Sequence, residues 1–384
     1  MPILKGSVTL TRFKVDDVPA DVFATLSDRL KMFAFTPIDD IAEERSFGWT
    51  NFDDLLDIEW KQSVPQKEPY IAFSLRLDTR RIPAAVLSKE NKIALSAEQE
   101  KIKALGKNFV SLERKREIRE QVKLRLLART IPTPAYFEVV WHTESGAIWL
   151  GSASPKIQDM FVELFGRTFP EIGAIHMLTP YESALAILGD DEDAIDRLNA
   201  LEPSDFSGAQ DATEVSHGVD DILSEEFLTW VLYLSRTGQN VFTVSNHISA
   251  MIEDVDQPLS IHHFNGVRRK VAIVRGEEST FVEVWKGMQE GKKVCGVNLC
   301  LNINDSPYSA RVAYPDLILR SAKLPKIKRD KEDDDPDGLF LERMYFFETL
   351  YAAFDGIFDA FVRLRVSDAW QTEAQAIKDW VLDH

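Results

Sequence analysis

Residues 101–129 read KIKALGKNFVSLERKREIREQVKLRLLAR and hold ten Lys and Arg against three Glu. The whole chain of 384 residues has a formal net charge of −17. The surplus of seven positive charges in this segment therefore creates a local electrostatic field of the opposite sign. Residues 110–129 contain no Gly or Pro and consist mostly of Leu, Glu, Arg, Lys and Gln, which lose little side-chain freedom in a helix. The segment therefore predicts a basic helix.

The charges of this helix separate into sectors. At about 100° of rotation per residue, one sector of roughly 100° holds the cations Lys115, Arg116, Arg119 and Lys123. A second sector holds Glu113, Glu117 and Glu120, and an apolar edge for packing consists of Ile118, Val122 and Leu126. Such a helix can present its cations to a polyanion. The same pattern is also typical of a solvated helix whose Glu and Arg residues pair with each other.

The composition limits the class of protein. A chain of 384 residues with 45% hydrophobic residues has room for two or three domains. With a sequence pI near 5.0, attraction to nucleic acid must come from a local basic patch.

Cys295 and Cys300 are too few for a disulfide framework and are expected to be free thiols. Residues 1–17 lack the apolar core of a signal peptide and no apolar run approaches the ~20 residues of a membrane span, so we expect a cytoplasmic location without a membrane partner.

The hydrophobic patterns predict an α+β fold. In the first half we expect a strand over 7–15, a helix after Pro19, strands over 33–40, 45–54 and 70–77, helical structure from Pro83 with a break near Gly106, a hairpin of 135–142 and 147–153, a helix over 155–167 and a strand over 172–178. In the second half, strands are expected over 267–275, 280–285, 293–302 and 310–313.

The predicted domain organisation has four parts. A first α+β unit with an antiparallel sheet comprises residues 1–82 and 133–182, and residues 83–132 form a basic helical insertion in it. Residues 183–223 are predicted to be an acidic linker or loop, because residues 190–226 hold thirteen Asp and Glu against one Arg. Residues 224–384 form the second α+β unit.

The second unit is expected to end with a long helix that starts at Asp335 and Pro336. Its aromatic stripe repeats every three or four residues and comprises Phe340, Met344, Phe347, Tyr351, Phe354, Phe358 and Phe361. A stripe this apolar is predicted to be buried in the core, and a dimer contact is the alternative.

No strong catalytic motif is present in the sequence. Neither the HExxH and CxxC metal motifs nor the GxxxxGK[ST], GxGxxG and GxSxG loops occur, so neither a metal nor a cofactor is predicted. The best nuclease candidates are Asp316, which follows Pro315, and Glu283 with Lys286. On the expected strand, Glu283 and Lys286 point to opposite faces and cannot share one metal-bound phosphate. A metal-dependent nuclease is therefore a weak alternative, and we do not expect an enzyme.

Several motifs in order carry a family resemblance. They are FAFTPIDD (33–40), FGWT (47–50), TRRIPAAVLSKE (79–90), the segment 98–106, SLERKREIREQVKLRLLAR (111–129), a strand with Phe137, Val139 and Trp141, SASPKIQDMF (152–161) and FLTW (227–230). Over about residues 1–235 the chain resembles the RdgC family of bacterial recombination-associated proteins.

The resemblance implies a DNA-binding protein that is not an enzyme. It implies a ring-shaped homodimer whose basic inner surface surrounds duplex DNA, and a nucleoid-associated protein that also binds single strands and limits the access of recombinases or exonucleases. Carried onto this sequence, the DNA-binding candidates are Arg76, Arg80, Arg81, Lys89, Lys107, Arg114, Lys115, Arg116, Arg119, Lys123, Arg125 and Arg129. They are expected to contact phosphates, which position a protein without conveying base sequence.

A protein-interaction module is the alternative from another class. The basic helix would then bind an acidic partner, or the acidic residues 190–226 of the same chain in an autoinhibitory contact.

Overall fold

The computed structural model describes residues 3–4, 6–61, 64–106, 109–207, 218–245, 247–264, 268–274, 281–327 and 335–383, without the side chains of 254–264, 268–274, 281 and 283. The fold is a mixed α+β fold whose strands pair antiparallel, as predicted. The described strands are β1 Val8–Lys14, β2 Arg45–Asn51, β3 Gln66–Lys67, β4 Tyr70–Thr79, β5 Thr133–His142, β6 Ala147–Leu150, β7 His176–Met177, β8 Val241–Ser245, β9 Ile248–Phe264, β10 Arg268–Val274, β11 Lys293–Ile303, β12 Ser306–Ala313 and β13 Ile318–Lys323.

The described helices are α1 Ala20–Ala24, α2 Leu26–Met32, α3 Ala84–Ala104, α4 Leu112–Leu127, α5 Pro155–Thr168, α6 Pro180–Leu188, α7 Glu192–Asn199, α8 Val219–Thr237, α9 Phe281–Gln289, α10 Pro336–Arg365 and α11 Trp370–Leu382. By their internal contacts, residues 15–148 and 159–175 form one unit, here called the arm unit. Residues 1–14, 149–158 and 176–384 form the other, here called the C-terminal unit. The domain bounds predicted from the sequence differ from the bounds of these two units. They stay a prediction.

The arm unit is built on β4, which pairs with β2 on one side and β5 on the other. Its aromatic core includes Trp141, whose ring centroid lies 5.6 Å from that of Phe165 and 5.7 Å from that of Phe169. Trp49 on β2 donates a hydrogen bond from Nε1 to Thr168 Oγ1 over 2.8 Å. A Cβ at the neighbouring Gly48 would lie 2.5 Å from the Cα of Phe35, so only glycine fits there.

Two helices of the arm unit, α3 and α4, pack against each other and are here called the arm. Pro83 is the N-cap of α3. The chain turns after the end of α3 at Gly106, whose φ is +74°. Ser111 caps α4 by accepting a hydrogen bond from the Arg114 N–H over 3.2 Å. The predicted helical stretch with a break near Gly106 is therefore confirmed.

The C-terminal unit contains a sheet with the strand order β10, β9, β11, β12, β13, β1. Helix α10 supplies much of its core, since the whole aromatic stripe from Phe340 to Phe361 is buried. Asp335 caps this helix by accepting a hydrogen bond from the Gly338 N–H over 2.9 Å. Burial of the stripe inside the unit confirms the first of the two interpretations made from the sequence.

Three secondary-structure predictions were wrong in part. The strand predicted over 280–285 is wrong for residues 281–285, which belong to helix α9. The residues of FVEVW have high β-propensity, but Val284, Trp285 and Met288 are buried with helical spacing. Of residues 172–178 only β7 is a strand, and of residues 33–40 only Ala34 makes an isolated bridge, to Trp49.

The predicted acidic loop over 183–223 was also wrong in its first part, where α6 and α7 lie, and at its end, where α8 begins at Val219. Thr179 and Asp191 cap these helices by accepting hydrogen bonds from Glu182 N–H and Ala194 N–H. Acidic residues in the first turn of α7 favour the helix through its dipole. The acidic composition therefore reflects helix N-termini as well as connecting chain, and residues 208–217 lie outside the described residues.

Among the described residues, no helix combines the length and the apolar character that crossing a membrane requires.

Candidate nucleic-acid interface

The arm exposes most of its side chains. Helix α3 has no buried residue in its 21 positions, and α4 buries only Ile118, Val122 and Leu127. Two of these three belong to the predicted apolar edge, which therefore faces the protein. The cationic sector of α4 lies beside that edge and is left open to solvent.

Three cations of α4 form the unpaired part of this sector. Arg116 and Arg119 are exposed and Lys115 is half-buried. Within the described part of the chain, no carboxylate lies within ion-pair distance of these three side chains. Their positive charge is therefore not neutralised locally, and their N–H groups can donate hydrogen bonds to phosphate oxygens.

Three other predicted cations are engaged in exposed ion pairs. Arg114 contacts Glu98 at 2.7 Å and Glu117 at 2.8 Å, and hydrogen bonds from its side chain to these carboxylates raise its pKa. Lys123 Nζ lies 2.6 Å from Glu44 Oε1. The hydrogen bond to Glu44 raises the pKa of Lys123.

Arg125, the third of these cations, contacts Glu90 at 3.0 Å. Exposed ion pairs of this kind are worth only ~0–1 kcal/mol, so each can exchange for a phosphate at small cost. The predicted basic helix thus combines unpaired cations with cations held by carboxylates of α3, α4 and the segment before β2.

Arg76 serves the packing of the sheet. Its guanidinium binds the Asp78 carboxylate through two hydrogen bonds of 2.8 and 2.9 Å and lies 4.0 Å from the ring centroid of Phe35. The hydrogen bond to Asp78 raises the pKa of Arg76. Residues two apart on a strand share a face, so the sequence already contained the signal for this pair.

Arg80 is buried, with 6% of its surface exposed. Its guanidinium donates hydrogen bonds to the carbonyls of Ile38 and Asp39, both over 2.8 Å, and to that of Ile41. These contacts hold the chain ahead of β2, and no sequence pattern indicated them. The guanidinium groups of Arg76 and Arg80 are therefore engaged inside the arm unit.

Arg81 and Lys89 are exposed near the start of α3, and Arg129 is exposed just after the end of α4. Lys107 lies outside the described residues. Sequence reasoning left out three further exposed lysines of α3, which are Lys92, Lys101 and Lys103. At about 100° per residue, Lys92 and Lys103 fall within roughly 60° of Lys89 on α3. This spacing was the signal that could have added them.

The nuclease candidates Lys286 and Asp316 lie on separate elements, and the side chain of Glu283 lies outside the described part of the structure. Lys286 is exposed on α9, and the expectation that Glu283 and Lys286 point to opposite faces of a strand was wrong because this segment is a helix. Asp316 lies in the turn before β13, beside a small cavity that Arg12, Ser183 and Tyr351 also line. No group of three or more His, Cys, Asp or Glu in the described residues is placed to hold a metal ion.

The acidic residues proposed as an internal partner of the basic helix have their own contacts in the C-terminal unit. Asp205 binds Lys378 at 2.7 Å, and the buried Glu226 carboxylate accepts hydrogen bonds from Arg365. Asp220 accepts a hydrogen bond from the Tyr181 N–H over 2.7 Å. Autoinhibition by residues 190–226 stays a prediction.

A comparison with protein families gives a match over part of the chain. The family described as "Putative exonuclease, RdgC" matches residues 9–190, which include the whole arm. Over this region the chain is similar to the RdgC family. The family resemblance is thereby confirmed, although the match to the RdgC family ends at 190 and does not reach FLTW at 227–230. A comparison with curated proteins found no match.

Proposed function

We propose that this protein binds DNA without sequence preference through the arm, and that it acts in recombination by occupying DNA. The match to the RdgC family over residues 9–190 supports a DNA-associated role related to recombination. The observation that carries the proposal is the trio Lys115, Arg116 and Arg119, which no carboxylate among the described residues neutralises. In a chain of net charge −17, an unneutralised basic surface favours a polyanionic partner.

Phosphate contacts explain the expected lack of sequence preference. Lys and Arg bound to phosphates release counterions but read no base edges. If three cations contact duplex DNA, the logarithm of the binding constant falls with the logarithm of the salt concentration with a slope of about −2.7. Single strands are also partners in this proposal, with a shallower slope of about −0.7 per contact.

The resemblance extends the proposal to the assembly. Two copies would form a ring-like homodimer with their arms facing the DNA, and the bound ring would limit the access of recombinases or exonucleases. The acidic remainder of the chain would reduce adhesion of DNA elsewhere. A nucleoid-associated location follows from the same binding.

A charge-reversal variant tests the DNA-binding proposal. The triple change Lys115→Glu, Arg116→Glu and Arg119→Glu alters the net charge by six units and should abolish retention of duplex DNA at low salt. The control reverses Lys31, Lys156 and Lys286, which are exposed cations outside the arm, and has the same change in net charge. The control should retain at least half of the wild-type affinity. Equal affinities of the triple variant and the wild type would refute the proposal.

Exonuclease activity is the second candidate, because the family description names it. Purified protein is incubated with end-labelled linear duplex and single-stranded DNA, with Mg²⁺ or Mn²⁺ added. Binding without catalysis predicts intact DNA. Shortened products that disappear in Asp316→Asn would favour the nuclease instead.

A further inference from the structure

Glu44 connects the basic helix to the sheet of the arm unit. It immediately precedes β2, and its Oε1 lies 2.6 Å from Lys123 Nζ on α4. Both side chains are partly exposed, at 55% for Glu44 and 40% for Lys123. The pair therefore lies at the surface, where a phosphate of DNA can reach the lysine.

The position of Glu44 is set by the protein core. The guanidinium of buried Arg80 holds the carbonyls of Ile38, Asp39 and Ile41, and the Arg80 N–H donates a hydrogen bond to the Glu44 carbonyl over 2.8 Å. The next residue, Arg45, is paired with Thr79 in the β2–β4 ladder. Because its backbone is fixed on both sides, Glu44 is positioned where its carboxylate can reach α4.

We propose that Glu44 competes with DNA phosphates for Lys123 and thereby lowers the affinity of the arm for DNA. This inference rests on the proposed function. A lysine that is paired with a carboxylate must give up that pair before it can bind a phosphate, so it contributes less to DNA binding than an unpaired lysine does. Lys115, Arg116 and Arg119 carry the binding, and Glu44 weakens the contribution of Lys123, the fourth cation of the same sector.

The variant Glu44→Gln tests the competition directly. Freeing Lys123 should add up to one phosphate contact, which steepens the logarithmic salt slope by up to about 0.9 and tightens duplex binding by up to about fivefold near 0.1 M salt, since an exposed ion pair is weak. Fluorescence anisotropy with a labelled duplex at several salt concentrations measures both quantities. The double variant Glu44→Gln/Lys123→Gln should lose this gain and return to the wild-type slope.

Glu43→Gln is the matched control. Glu43 is exposed, adjacent to Glu44 and free of ion pairs to the described residues, and its substitution changes the net charge equally. It should leave the salt slope unchanged. Equal effects of the two substitutions, or weaker binding by Glu44→Gln in protein with an unchanged circular dichroism spectrum, would overturn the inference.

The two proposals fail in different ways. If the Lys115, Arg116 and Arg119 reversal leaves DNA binding intact, the proposed function fails. If that reversal abolishes binding while Glu44→Gln has the wild-type salt slope, only the role of Glu44 is refuted.

Discussion

Helix α10 and the arm use long helices for opposite purposes. Fourteen of the 30 residues of α10 are buried, whereas α3 buries none of its 21 residues and α4 buries three of 16. Burial in α10 removes aromatic surface from water and stabilises the C-terminal unit. The arm gains little from burial, so its side chains are available to a partner. The comparison separates a helix that builds the core from helices that present charge.

Charged residues follow the same division. Arg365 of α10 is buried and binds the Glu226 carboxylate and the Glu202 carbonyl, the latter over 2.7 Å. Arg343 is also buried and donates a hydrogen bond to the Ile3 carbonyl over 3.0 Å. Burial lowers the pKa of Arg343. In the arm, by contrast, ion pairs lie at the surface and exchange easily with other anions.

The largest expected effect comes from Phe361→Ala in α10. Phe361 is fully buried and its ring lies 5.4 Å from Phe227 and 5.6 Å from Trp230. Its removal leaves a cavity and should lower the free energy of unfolding by about 3–5 kcal/mol. Urea denaturation followed by tryptophan fluorescence measures the loss.

Two controls sharpen this comparison. Tyr345→Ala, at a residue of α10 that is 61% exposed, and Ile93→Ala, at a residue of α3 that is 54% exposed, should each change the free energy of unfolding by less than about 1 kcal/mol. A loss at Ile93 equal to that at Phe361 would contradict the division between core helix and arm.

A smaller loss of folding stability is expected at high pH, from the ionisation of Tyr308. The ring centroid of Tyr308 lies 6.4 Å from that of Phe346 on α10. Burial raises the pKa of Tyr308 to about 12. Since an unfolded Tyr titrates near 10, the folded state is fully favoured below about pH 10 and loses on the order of 2 kcal/mol as pH rises through about 12. Tyr308→Phe should flatten this part of the alkaline stability profile, measured by denaturation at pH 9–12.

The sequences of α3 and α4 contain no Tyr, so this alkaline loss belongs to the surroundings of α10. An identical profile in Tyr308→Phe and the wild type would refute the assignment.

The smallest effect is expected at the cap of α4. Ser111→Ala removes the hydrogen bond to the Arg114 N–H and should cost about 1 kcal/mol of local helix stability. Faster hydrogen exchange in the first turn of α4, with an unchanged unfolding midpoint of the core, would show it. Ser111→Asp keeps an acceptor and should keep the protection. A loss of global stability as large as that of Phe361→Ala would mean that the arm is part of the core.

The sequence predicted long helices well because their periodicity is visible over several turns. The stripe of α10 and the break at Gly106 were both identified in this way. Helix α9 was missed because its apolar residues Val284 and Trp285 have high β-propensity, and tertiary packing decided the outcome. The two short helices α6 and α7 were hidden by an acidic composition that resembled a linker.

The candidate site was predictable only in part. Charge inversion and helical rotation located the cationic sector of α4, but charge alone does not reveal which carboxylates lie opposite. The partner of Lys123 is Glu44, 79 positions earlier in the chain, and the partners of Arg80 are backbone carbonyls, which have no sequence signature. Long-range contacts of this kind are set by the packing of the whole unit.

The absence of buried residues in α3 means that the length of this helix is not fixed by packing in the core. At 1.5 Å of rise per residue, the 21 residues of α3 span about 31 Å, and insertion or removal of one turn changes that reach by about 5.4 Å. Such a change in α3 removes no buried side chain of that helix, whereas a deletion that reached Ile118, Val122 or Leu127 would remove part of the packing of α4. The length of α3 can thus be adjusted in evolution or by engineering without repacking a hydrophobic interior.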